Sequence, residues 1–159
     1  MQKTTQRSKQ QGFTIIEVLI VLAIAGLILL IVFLAVPALQ RNSRNTAIRN
    51  DASNVLSGVN EFQAANNGKM PSNIPDPGGA TDVVIGVTPD SPVTSKVRAG
   101  TQIRFNGADP SAIADTGIIN IRINYGCNAN TPTAKPRAVA ATYVVETGGT
   151  GVARQCTES

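Results

Sequence analysis

From Val18 to Val36 the chain is Val, Ile, Leu, Ala and Phe, interrupted only by Gly26, and no charge occurs between Glu17 and Arg41. That run constrains everything else. As a helix, Phe13 to Leu39 is long enough to cross the roughly 30 Å of hydrocarbon in a bilayer. The 159 residues suffice for one modest domain plus one long helix. The remainder is polar and rich in Gly, Pro, Thr, Asn and Ser. Such a sequence buries a small core and needs support from the helix or a cross-link.

The segment before the run, Met1 to Gly12 (MQKTTQRSKQQG), is basic and has no acid. It reads as the n-region of an export signal. The apolar run exceeds an ordinary signal core, and no clean Ala-x-Ala site closes it. Ala35, Ala38 and the polar segment beyond them leave a secreted product, cut after the run, as a weak alternative. Lys3, Arg7 and Lys9 predict a cytoplasmic N-terminus; Arg41, Arg44 and Arg49 on the far side oppose that orientation. Removing residues 1–12 lowers the formal net charge from +4 to +1. A near-neutral product is a poor match to the basic footprint of a nucleic-acid binder. Nucleic acid is therefore allowed as a partner but not indicated.

Beyond Leu39 the helical period continues. Ile48, Ala52, Val55, Leu56, Val59 and Phe62 recur at spacings of three and four, with Arg41, Arg44, Arg49, Asp51, Asn54 and Glu61 filling much of the rest. The helix should stop near Asn66-Asn67-Gly68, with Gly68 in the left-handed C′ position and Pro71 preventing resumption. Continuous from Thr14 to Asn66, it would be about 80 Å long at ~1.5 Å per residue. Pro37 removes one backbone donor and is expected to kink or locally unwind it. Residues 69–82 form a Pro/Gly loop. Strands are expected at Val83 to Val87, Thr101 to Phe105, Ile119 to Tyr125, Val139 to Glu146 and Val152 to Gln155. The third is the clearest, because Ile119, Ile121, Ile123 and Tyr125 alternate with polar residues. Gly148-Gly149-Thr150-Gly151 is a hairpin turn. The expected class is α+β: a long N-terminal transmembrane and amphipathic helix (13–39, then 40–68), with a small antiparallel β-sheet head over 83–159.

Cys127 and Cys156 cannot supply a zinc site in a chain without histidine. A disulfide in an oxidising compartment is the simpler reading, against two free buried thiols. Closing that loop would stabilise by about 3–4 kcal/mol in the chain-entropy model. No metal or other cofactor is expected: Asp76, Asp82, Asp109 and Asp115 lie in loops without EF-hand spacing. No catalytic residue is expected either, because no histidine exists to activate a hydroxyl and no G-x-S-x-G elbow occurs.

The informative string is Gly12-Phe13-Thr14-Ile15-Ile16-Glu17-Val18-Leu19-Ile20. A basic leader ends in glycine, an apolar residue comes next, and one acid sits at the edge of an uncharged span. Here the sequence resembles the type IV pilin and pseudopilin family, strongly over Gly12 to Leu39, more loosely to Gly68, and in architecture alone beyond. The resemblance implies a pilin-like fold and a membrane-embedded prepilin peptidase that cuts after Gly12 and methylates the new amine on Phe13. It also implies that Glu17 pairs with that amine, in a neighbouring subunit, when helices gather in a filament. The competing structural reading is that Thr14-x-x-Glu17 is a capping box. Both roles can coexist. Gly12 likewise reads as a flexible hinge or as a residue that lets backbone lie flat in a protease cleft.

The same resemblance implies a single-pass membrane precursor that becomes part of a cell-surface filament, for adhesion, twitching motility or DNA uptake. Partners would be other copies, other pilins, the lipid bilayer before assembly, a membrane platform protein and an assembly ATPase. The alternatives are a pseudopilin of type II secretion and a non-polymerising anchored binding protein. Cys127 and Cys156 resemble the C-terminal disulfide loop of pilins. Pro37 departs from the family pattern, in which a proline lies closer to the processed end.

Overall fold

The computed structural model describes residues 12–87 and 89–159. Lys3, Arg7 and Lys9, and the expected leader up to residue 11, lie outside the described residues. The described residues divide into two compact units, one ending at Leu39 and the other comprising Gln40–Ser159.

Helix α1 runs Ile15–Ala65. Over its apolar part none of the side chains is buried. Pro37 lies inside the helix and does not interrupt it. The helix therefore runs on through Pro37 without local unwinding, because the proline deletes one donor only. The helix ends in a Schellman arrangement. Gly68 N–H donates to Gln63 O at 2.7 Å, and Asn67 (φ 52°) takes the left-handed C′ position that was expected of Gly68, which comes next at φ 77°.

In the Gln40–Ser159 unit, six strands come after the helix: β1 Asp82–Ile85, β2 Val93–Lys96, β3 Gln102–Phe105, β4 Ile118–Asn128, β5 Thr131–Glu146 and β6 Val152–Glu158. They form two sheets. β1 and β2 make an antiparallel ribbon, and the second sheet has the order β3-β4-β5-β6. The expectation of one antiparallel sheet needs correction, because β3 pairs with β4 in parallel, Gln102 against Ile118 through Phe105 against Ile121. Parallel neighbours require a crossover, and residues 106–117 supply it.

β2 was not anticipated from the sequence. β5 begins at Thr131 rather than Val139, and its early part contains Pro132 and Pro136. Those prolines fall where β6 does not pair, since β6 covers only Ala140 to Glu146. An edge position tolerates a missing donor. β4 and β5 lose register between Ile123 and Tyr125. There Asn124 and Arg137 adopt φ near 60°, and Arg137 N–H donates to Asn124 Oδ1 at 3.2 Å.

One hydrophobic cluster joins the α1 stripe Ile48, Ala52, Val55, Leu56, Val59 and Phe62 to both sheets, including Val83, Ile85, Ile119, Ile121, Val139 and Tyr143. Phe62 is fully buried, and its ring lies so close to Gly86 (φ 83°) that a Cβ there would collide with it. Gly58 lets Ile85 and Ser95 approach the helix in the same way.

Asp51 is 4% exposed, which corrects its placement off the packed stripe. It lies three residues after Ile48 and four before Val55, so the period puts it on the buried stripe. Its carboxylate accepts from Arg98 Nε at 3.0 Å, Thr101 Oγ1 at 2.8 Å and Arg98 N–H at 3.2 Å. Arg44 is exposed and also grips Glu146, at the end of β5, with two bonds of 2.6 and 2.7 Å. Asn45 donates to Glu146 O and accepts from Glu146 N–H, both at 2.8 Å. Cys127 of β4 and Cys156 of β6 are joined by a disulfide, with Cα atoms 5.7 Å apart.

Candidate functional site at the start of the long helix

Thr14 is the N-cap of α1 and Glu17 its third residue, and the two close a capping box. Glu17 Oε2 accepts from Thr14 N–H and from Thr14 Oγ1, each at 2.8 Å. In return Thr14 Oγ1 accepts from Glu17 N–H at 3.4 Å. This occurs because the first turn of any helix has free amides, and Thr-x-x-Glu satisfies two of them reciprocally.

The box engages one oxygen. Both donors converge on Oε2, and among the described residues no hydrogen bond reaches Oε1. A carboxylate near a hydrocarbon interior costs roughly 2.5–3.5 kcal/mol on insertion scales, whereas capping contributes about 0.5–2 kcal/mol. Capping offsets part of the cost, and the free oxygen retains capacity for a cation.

Phe13 is 89% exposed. With Glu17, Val18, Val21 and Leu22 it lines a shallow apolar groove whose one charged member is the acid. A Cβ at Gly12 would meet nothing within 4 Å. Packing among the described residues therefore does not require glycine there.

Phe13, Thr14 and Glu17 are thus brought together beside Gly12. Pro37 lies elsewhere in the same helix, and Cys127 and Cys156 belong to the sheet of the other unit. Among the described residues, no group of three or more His, Cys, Asp or Glu side chains could hold a metal. Asp109 is engaged by Asn120 Nδ2 and Thr142 Oγ1, each at 2.8 Å, and by Arg122 Nε at 3.2 Å. It anchors the crossover to the sheet through the fully buried Asn120 and Thr142.

By length and composition this helix is long and apolar enough to cross a membrane, and it opens on a capped acid beside an exposed Phe. Residues 7–33 match the family model described as the prokaryotic N-terminal methylation motif, so the chain carries the prepilin signature of type IV pilins and pseudopilins. The fold agrees with it: a long apolar N-terminal helix leading into small sheets is an α+β, pilin-like architecture. No curated protein and no solved structure matches the chain.

Proposed function

We propose that this chain is a structural subunit of a type IV pilus-like filament, cut between Gly12 and Phe13 and methylated at the new Phe13 amine. The observation that carries the proposal is the prepilin match over residues 7–33, which includes Gly12, Phe13 and Glu17. After cleavage the Phe13 nitrogen becomes a cation, and a methylated secondary amine keeps that charge. Glu17 Oε1 is free to accept it. In low dielectric such a pair attracts strongly, and either member left alone is heavily penalised. Pairing between neighbouring copies therefore selects the correct stagger.

Moving the apolar helix from lipid to a bundle of its own kind yields little hydrophobic gain. Extraction then needs an ATPase acting through a membrane platform, and a prepilin peptidase must act first. The Cys127–Cys156 bond favours a pilus subunit over a secretion pseudopilin. Adhesion, twitching motility and DNA uptake are the roles such a filament would serve.

Intact-mass analysis of sheared surface filaments tests the proposal. The expected subunit begins at Phe13 and carries one additional methyl group. A subunit that retains residues 1–12, or that begins beyond Val36, overturns it.

A further inference from the structure

Within the Gln40–Ser159 unit, α1 has a face that its own sheets leave uncovered. Thr46, Asn50, Ser53, Ser57, Asn60 and Ala64 recur at spacings of four and three, and all are exposed. Each lies two residues before or after Ile48, Val55 or Phe62, about 200° round the helix from that buried stripe. None of the six is charged, and none is larger than Asn. Such a recurrence keeps one line of residues against a partner helix along its length, and small side chains let two helix axes approach closely.

Two opposite charges flank this line, and both are unspent. Arg49 and Glu61 are exposed, and among the described residues neither has a hydrogen-bonded or ion-paired partner. Every other acid of the unit is engaged. Seven are ion-paired, and Asp76 accepts from Gly78 N–H and Ile103 N–H, each at 3.3 Å. Arg49 and Glu61 cannot satisfy each other within one chain, because the twelve residues between their positions amount to about 18 Å of helix.

Between two copies they can. In parallel helices packed along such a line, a residue flanking it on one side meets the residue five positions further on in the partner, on the other side. From Arg49 that position is Asn54. Sliding one copy by one seven-residue repeat, about 10 Å, preserves the recurrence and brings Glu61 there instead. Asn50 then faces Ser57, and Ser53 faces Asn60.

We propose that this face of α1 takes the same face of a second copy, parallel and displaced by one seven-residue repeat, with Arg49 of one copy paired to Glu61 of the next. The contact is heterologous, so each copy offers the next a free partner and the displacement repeats. The inference rests on the filament reading. Small uncharged side chains bury too little apolar area to gather free copies, and tethering within a fibre supplies the effective concentration.

Cross-linking in sheared filaments of the full chain tests it. Arg49→Cys combined with Glu61→Cys should, after mild oxidation, give a ladder of linked subunits on a non-reducing gel, since a bond within one chain is out of reach. Arg49→Cys alone should give no linked product. Without cross-linking, Arg49→Glu should lower filament yield by about five-fold, the scale of one exposed ion pair. Adding Glu61→Arg should restore the yield to within about two-fold of wild type. Protease resistance and an intact Cys127–Cys156 bond check that each variant is folded.

Filaments of the double cysteine variant that form no ladder overturn the inference. So do linked dimers from Arg49→Cys alone, which would make the contact antiparallel, a linked product that contains a different chain, or a charge exchange that fails to restore yield. Wild-type cells whose surface filaments lack this chain overturn the filament reading itself, and this inference with it.

Discussion

The two stretches of α1 obey the same backbone rules and do opposite things with their side chains. Up to Leu39 every large apolar side chain is exposed, from Val36 at 38% to Phe13 at 89%. From Ile48 to Phe62 the apolar side chains of the stripe are almost completely buried. Helix propensity does not distinguish the stretches; the arrangement of polar groups does. The second stretch has a polar face and polar anchors, so it folds against its own sheets. The first has no polar face, so its partners must be apolar from all directions, lipid or other copies of itself. One helix therefore joins a stretch that folds against its own chain to a stretch that its own chain leaves uncovered.

That separation can be broken at either end. The largest expected effect is on assembly: Glu17→Ala should lower sheared-filament yield by about ten-fold or more, because an amine in the apolar core loses its counter-charge. The membrane level of the variant, measured by immunoblot, should stay unchanged. Normal filament yield would end the pairing argument. Next comes Phe62→Ala, which should destabilise the globular unit by about 3–5 kcal/mol through loss of a fully buried ring. Denaturant unfolding reads that change, while processing after Gly12 should continue. A smaller loss, about 1–3 kcal/mol, is expected for Asp51→Ala, which strands the buried Thr101 hydroxyl and uncouples Arg98.

The smallest effect depends on pH. The bonds from Arg44, with added attraction from Arg44 and Arg41, hold the Glu146 carboxyl below its usual value of 4.5. The folded state therefore releases this proton more readily than the unfolded chain. The stabilisation is fully present above the usual carboxylate range and disappears as pH falls through the lowered folded value. Thermal melts of wild type and Glu146→Gln should differ at neutral pH and converge as pH falls below the lowered folded value of Glu146. A constant gap across that range would show that the carboxylate charge is not what Arg44 reads.

The sequence made some of this legible and hid the rest for identifiable reasons. The apolar run, the Thr14–Glu17 box and the stripe from Ile48 to Phe62 depend on local spacing, which can be counted directly. The Cys127–Cys156 bond was accessible because two cysteines admit one pairing. Asp51 was misplaced because its polarity suggested water, although its spacing put it on the stripe, and the ion pair of the exposed Arg44 was not foreseen. Their partners, Arg98, Thr101 and Glu146, are 47 to 102 positions away in the chain, where no local period can reach. The parallel β3–β4 pairing was hidden for the same reason. β2, Val-Thr-Ser-Lys, is too short to stand out from a loop. At Pro37 the local rule predicted a kink or local unwinding, and the helix runs on through the lost donor.

The Asn45–Glu146 contact has a mechanical consequence. A side-chain amide on the helix imitates the edge of a strand, donating to and accepting from the same backbone residue of β5. Arg44 adds two charged bonds at that point. Arg44 and Asn45 together therefore hold the last residue of β5 by four bonds, beside the apolar stripe that packs the same helix on the sheets.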